Sequence, residues 1–301
     1  MSASGAAPVA SVSRSMTRLS AYAILVKPDV TFLVVLTTMA GFYLGAPGPI
    51  DALRMFNAIF GATLVAAGTA ALNQYIERAS DAKMRRTSAR PLPLRALRPV
   101  EAFAFGAGLI LLGGVYLALL TNWLACALAL LTTALYLGVY TPLKLRTTWA
   151  TAIGAIPGAI PPLIGWAAAR GSLNEGAWLL FAILFLWQFP HFHAIAWMYR
   201  EDYARAGIRM LPVVDRSGTA TFGQIIFTAA ALVPISLLPS VIGLAGLRYF
   251  FGALILGMLL VEACLWASRS RTNVRAKWLM HATVAHIPLL LGLLMLDKVV
   301  R

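Results

Sequence analysis

Nine long apolar runs constrain this chain more than any other feature. They fall at about 29–46, 54–76, 99–120, 123–141, 149–169, 175–198, 219–243, 248–267 and 277–297 of the 301 residues. Each is close to the ~20 residues that an α-helix needs to cross the hydrocarbon of a bilayer. In lipid, every backbone N–H and C=O must find a partner inside a helix or a closed barrel, and runs of this length point to helices. The expected fold is therefore all-α: a polytopic integral membrane protein of about nine transmembrane helices, bundled around an intramembrane cavity. Composition agrees, because 60% of the residues are hydrophobic and only 12% charged. A soluble core of this size cannot bury so much apolar surface, whereas lipid solvates it. Residues 1–20, rich in Ser and Ala and without an acid, read as a disordered cytoplasmic tail and not as a cleaved signal peptide. That leaves 21–301 as one transmembrane domain.

The net charge of +14 suggests nucleic acid at first sight. The basic residues, however, sit in short segments between apolar runs, as topology signals do, so nucleic acid is not an expected partner. With the N-terminus in the cytoplasm, 20 of the 25 Lys and Arg fall on cytoplasmic segments. They include Arg14, Arg18 and Lys27, the stretch Arg78–Arg98, Lys144 and Arg146, Arg200–Arg216 and Arg269–Lys277. Only Arg54, Arg170, Arg248, Lys298 and Arg301 lie outside. The C-terminus is expected outside, and the membrane is expected to be a bacterial inner membrane. Cys126 and Cys264 lie within apolar runs and read as small packing residues, with neither a disulfide nor a metal site.

The most informative polar stretch follows the second run: Asn73-Gln-Tyr-Ile-Glu77-Arg-Ala-Ser-Asp81, then Ala-Lys83-Met-Arg85-Arg86-Thr-Ser-Ala-Arg90-Pro91. If the helix continues, Asn73, Glu77 and Asp81 share one face, with steps of roughly 6 Å. Two carboxylates and an amide oxygen so spaced suit Mg²⁺, which takes its remaining ligands from water and phosphate. The bland reading is a solvated helix end at the membrane surface. Ionisable groups at the mouth of a spanning helix are costly, however, and mark function.

Two further cytoplasmic segments are polar: Tyr140-Thr-Pro-Leu-Lys144-Leu-Arg146 and Tyr199-Arg-Glu201-Asp202-Tyr203. In the fifth run, Pro157, Pro161 and Pro162 remove backbone donors, while Gly154 and Gly158 form a small-residue face. That pattern serves either close helix packing or a wall around a bulky ligand. The sixth run ends Trp187-Gln-Phe-Pro-His191-Phe-His193. Both histidines must satisfy a polar nitrogen in apolar surroundings, and they point about 200° apart on a helix. At most one is expected to face a given ligand, and either can be structural. His281, His286 and Glu262 read as interhelical hydrogen-bonding groups.

At these residues the chain resembles the intramembrane prenyltransferases of the UbiA superfamily, and within it the branch that modifies heme. The matching segments are NQYIERASDAKMRRTSARPL from Asn73, YTPLKLR from Tyr140, GAIPGAIPPLIGW from Gly154 and WQFPHFHAIAWMYREDYARAGIRMLPVV from Trp187. The N-x-x-x-[DE]-x-x-x-D element is common to the superfamily, whereas DAKM-x-RT, PHF and DYARAG-x-x-MLPV are specific to the heme branch. The resemblance implies transfer of a farnesyl group from farnesyl diphosphate to a vinyl group of heme b. It implies Mg²⁺ held by Asn73, Glu77, Asp81 and Asp202, and diphosphate neutralised by Lys83, Arg86, Arg90, Lys144 and Arg146. His191 and His193 become candidates for heme, and heme A synthase or oxidase assembly factors become candidate partners. One departure stands out. The second acidic motif of the superfamily has two aspartates, but here Met198 occupies the position four before Asp202, leaving Glu201 as its only near acid.

Two rival functions use the same features. One is prenylation of another aromatic acceptor, such as a quinone precursor. The other is secondary transport, which Pro-broken helices and intramembrane polar groups also suit.

Overall fold

The computed structural model describes residues 16–299. Most of the tail expected over 1–20 lies outside these residues, but its last three, Arg18–Ser20, open a short helix, α1 (Arg18–Leu25). The crossing helices follow: α2 (Pro28–Gly45), α3 (Ala52–Asp81) and α4 (Pro99–Leu120). The fourth crossing starts as α5 (Trp123–Ala134), passes through a π-helical turn at Leu135–Tyr140 and ends as α6 (Thr141–Leu143). The fifth is two helices, α7 (Ala150–Gly158) and α8 (Pro161–Arg170). Then come α9 (Glu175–Met198), the short α10 (Arg200–Arg205) and α11 (Leu211–Val214), and finally α12 (Thr219–Val241), α13 (Leu247–Ser270) and α14 (Asn273–Leu296). Among the described residues, nine helical spans are long and apolar enough to cross a membrane.

The break between α7 and α8 has the cause its prolines imply. Pro161 and Pro162 have no N–H to give the preceding turn, so the helix stops at Gly158 and restarts three residues later, at Pro161. The small residues of this span bring backbones together. A Cβ on Gly165 would stand 1.9 Å from Thr38 O, and one on Gly41 2.0 Å from Pro162 O. Helices α2 and α8 therefore cross with their main chains in contact, the packing that small residues permit in lipid. Of the two readings for the fifth run, close packing accounts for Gly154 and Gly158 too, which lie under the Tyr140 ring and the Gln188 side chain.

At one end of the bundle, Lys298 donates to the Tyr43 and Ala46 carbonyls at 2.7 and 2.9 Å and ties the last described residues to the end of α2. The other end collects the polar segments: the start of α2, the end of α3, α6, and α10 after α9. There α1 packs its Ala21 and Leu25 against Ala71, Leu92, Leu97 and Ala102. Gln74 fixes its exit, donating to the carbonyls of Ile24 and Leu25 at 3.0 Å each.

Candidate active site

Helix α3 carries on past its apolar part because nothing between Leu72 and Asp81 breaks it. Asn73, Glu77 and Asp81 consequently lie on one face, and all three are buried. The Thr87 hydroxyl donates to the Asp81 carbonyl at 2.9 Å and closes the helix end. Each group on this face meets a cation from a different part of the chain. Lys144 pairs with Glu77. Arg90 donates from one nitrogen to both Asp81 oxygens, at 2.9 and 2.8 Å. Asn73 donates to Glu77 at 2.6 Å and to the Thr141 hydroxyl at 3.3 Å. Its amide oxygen accepts from Lys27 at 2.7 Å.

The π-helical turn has a local consequence. Such turns recur at functional sites because they shift side chains off the regular helical register. Here the turn leads directly into Thr141 and Lys144, which reach the acidic face. Tyr136 and Tyr140 on the same turn pack against each other, ring centroids 5.1 Å apart.

The second acidic motif is built differently. Asp202 is buried, pairs with Arg205 one turn later and accepts from the Arg86 backbone N–H at 3.1 Å. Glu201 is exposed, so it adds no second carboxylate. The Arg86 guanidinium lies over the Tyr199 ring, 5.0 Å from its centroid, and 3.5 Å from the Tyr203 hydroxyl. Burial raises the Tyr203 phenol above its ordinary range. Met84 packs with Ala196, Ala206, Ile208 and Met210 in one buried cluster. The DAKM-x-RT and DYARAG-x-x-MLPV elements are thus packed into one unit.

Of the expected diphosphate residues, Arg90 and Lys144 stand on the acidic face and Arg86 at its margin. Lys83 and Arg146 are exposed and make no ion pair among the described residues. The histidines stand apart from the acids. His191 is half-buried, stacked on Trp187 at 4.9 Å, with Nδ1 2.9 Å from the Thr283 hydroxyl of α14. His193 is completely covered, with Nε2 2.8 Å from Gln224 Oε1 of α12 and Nδ1 without a partner. One histidine faces each neighbour, as their angular separation on a helix requires.

Sequence reasoning missed one group. Lys27 counts there only as a topology charge, yet its ammonium is on the acidic face. Burial pushes it down to about 8, with the Arg90 charge acting in the same direction. The available signal was an isolated cation directly before Pro28, at the mouth of the first span.

The donor set suits Mg²⁺. Among the described residues no three of His, Cys, Asp and Glu converge on one point, but two carboxylates and an amide oxygen on one face form the sparse protein set that Mg²⁺ accepts. Two clefts elsewhere contain none of these groups. An apolar groove of about 490 Å³ runs along α3, α4 and α5 past Ile110 and Cys126, and a polar cleft of about 260 Å³ lies at the opposite end, beside Arg170 and Lys298.

A bundle of crossing helices with two acidic motifs at one end defines a class, and residues 34–286 match the UbiA prenyltransferase family. The chain belongs to that family and is a multi-pass membrane protein. It is 48% identical over 286 residues to the protoheme IX farnesyltransferase of Solibacter usitatus (strain Ellin6076), covering 92% of this chain and 98% of that one. Its fold matches a structure of digeranylgeranylglyceryl phosphate synthase, with TM-score 0.76, 20% identity and coverage of 93% and 98%. A UbiA homolog from Archaeoglobus fulgidus bound to DMAPP and Mg²⁺ matches with TM-score 0.63 and 14% identity, over 89% of this chain and 99% of that one.

Proposed function

We propose that this chain transfers the farnesyl group of farnesyl diphosphate to a vinyl group of heme b, giving heme O and diphosphate. The observation that carries the proposal is the 48% identity, over nearly the whole of both chains, to a protoheme IX farnesyltransferase. The buried charge cluster on α3 supports the reaction type. Farnesyl C1 bonds to the outer vinyl carbon as its bond to the diphosphate oxygen breaks. The inner vinyl carbon then takes a water oxygen, and a proton is released.

Asn73, Glu77 and Asp81 would hold Mg²⁺ on the diphosphate, as the Mg²⁺ and DMAPP in the Archaeoglobus fulgidus relative suggest. When bound, the metal supplies Lewis-acid neutralisation of the departing oxygens. Arg90 and Lys144, already on this face, add fixed positive charge where negative charge develops. Arg86 extends it to the margin, and the exposed Lys83 and Arg146 draw the anion in from the aqueous side. Asp202 positions Arg86 through its backbone and is a further candidate for the metal. The apolar bundle keeps the allylic cation from bulk water. His191, with Nδ1 fixed by Thr283, presents Nε2 to heme, the arrangement in which one ring nitrogen is anchored so that the other can bind.

The decisive experiment is a mass spectrum of heme extracted from membranes with and without this protein, supplied with heme b and farnesyl diphosphate. Heme O in the first sample alone is the expected result, and its absence from both sinks the proposal. In this reading the membrane is a bacterial inner membrane, and the distribution of basic residues supports an orientation with the N-terminus and the site on the cytoplasmic side. A cysteine at Ser88, in a background without Cys126 and Cys264, is then expected to resist a membrane-impermeant thiol reagent in intact cells and to react in inverted vesicles. The reverse pattern overturns this topology.

A further inference from the structure

The polar cluster on α3 holds one more cation than its acids can neutralise. Glu77 has Lys144 and Asp81 has Arg90. Lys27 reaches the same face, but its side-chain hydrogen bond is to an amide oxygen, Asn73 Oδ1 at 2.7 Å, and among the described residues no carboxylate lies within ion-pair distance of it. Three cations therefore stand against two carboxylates. An ammonium held half-buried beside two other positive groups, sharing carboxylates already paired with those groups, is unfavourable unless an anion completes the set.

The backbone of Lys27 is also held where a lysine rarely goes. Its φ of 47° and ψ of 72° lie in the left-handed region, which a side chain with Cβ disfavours. The surroundings over-determine this conformation. Gln74 grips the two carbonyls just upstream, the Lys27 N–H donates to Ile24 O at 3.2 Å, and its own carbonyl accepts from Thr31 N at 3.0 Å. Pro28 then starts α2. Gln74 belongs to the same helical stretch as the acids, so one segment of α3 supplies both the acidic face and the brace that aims Lys27 at it. Backbone held in a sparsely populated region by such bracing clusters at ligand sites.

We propose that Lys27 is a direct ligand of the substrate diphosphate, contributed by the α1–α2 junction, and that it leaves Asn73 Oδ1 when the metal-bound diphosphate enters. This rests on the prenyltransferase reading above. The charges fit: two carboxylates, three cations and one Mg²⁺ leave a surplus of three, which a fully ionised prenyl diphosphate offsets. While Lys27 occupies Asn73 Oδ1, its positive charge opposes a metal ion at that oxygen, so the lysine also couples metal binding to arrival of the anion. The alternative is that Lys27 is a structural lysine whose bond to Asn73 braces α2 against α3.

The test uses the full chain in detergent or nanodiscs and compares the parent, Lys27→Asn and Lys27→Arg. Asn tolerates left-handed backbone, so Lys27→Asn removes the charge with the least disturbance. The readouts are affinity for inorganic diphosphate with Mg²⁺ present, affinity for heme b, and the thermal midpoint without ligand. Losing one charge-assisted contact is expected to weaken diphosphate binding by roughly tenfold or more. Heme affinity stays unchanged, the midpoint is not lowered, and Lys27→Arg binds diphosphate within about threefold of the parent. A Lys27→Asn variant that binds diphosphate like the parent overturns the assignment. So does one whose midpoint falls, because a lysine held for a ligand has no folding role to lose. If the parent binds diphosphate yet forms no heme O, the choice of acceptor fails while Lys27 stands. A parent that binds no Mg²⁺–diphosphate removes both.

Discussion

The two acidic motifs lie at the same end of the bundle but are held by opposite strategies. Glu77 and Asp81 belong to a 30-residue helix, and their cations come from segments that must fold around it: Lys144 from beyond the π-helical turn, Arg90 from the following loop. Asp202 sits on the six-residue α10, and its ion-pair partner, Arg205, is three residues away on the same turn. The first motif is a property of the scaffold, since moving one carboxylate means moving a transmembrane helix. The second is a property of a surface unit, tied to the scaffold through the Arg86 N–H and the Met84 cluster. The first motif is fixed by a membrane-spanning helix, whereas the second is fixed by local contacts within one short segment.

That contrast predicts unequal costs for the same chemical change. Asp81→Asn removes a charge from a fully buried face and leaves Arg90 without its counter-ion. Farnesyl transfer, measured as heme O formed per unit of membrane-inserted protein, is expected to fall on the order of 10³-fold, the scale of losing a charge-stabilising group in a preorganised site. Asp202→Asn is expected to cost only about tenfold, mostly as a raised KM for farnesyl diphosphate, because Arg86 keeps its ring contact with Tyr199. Equal losses in the two variants would break the comparison and make the site symmetric, with Asp202 a full metal ligand.

The fold was legible because lipid leaves few choices. The nine apolar runs became the nine crossing spans, and the break at Pro161–Pro162 followed from missing donors. The acidic face could also be read, since N-x-x-x-E-x-x-x-D repeats at helical spacing and α3 continues through it. What the chain order hid was who neutralises whom. Lys83, Arg86, Arg90, Lys144 and Arg146 look equivalent in the sequence, yet only Arg90 and Lys144 pair with the acids of α3. Lys27 was hidden for a similar reason. Its placement depends on a left-handed backbone braced by Gln74, a tertiary arrangement with no periodic signal.

The histidines of α9 extend the comparison to a smaller scale, because two residues of one type again differ only in how they are held. His191 is half-buried, and its Nδ1 alone is engaged, by the Thr283 hydroxyl. His193 is sealed between α9 and α12, bonded to Gln224. His191→Ala is therefore expected to weaken heme b binding by about 1 kcal/mol, about fivefold in Kd, with farnesyl diphosphate binding unchanged. His193→Ala is expected to leave both affinities alone and to lower the thermal stability by about 1 kcal/mol, the scale of an interhelical hydrogen bond in a membrane protein. Separate titrations of heme b and farnesyl diphosphate, with thermal midpoints for each variant, decide the matter. If His193→Ala loses heme while His191→Ala does not, the buried histidine is the one that heme reaches, and α9 and α12 must part to admit it. If neither loses heme, both histidines serve packing, and the acceptor is held by other groups.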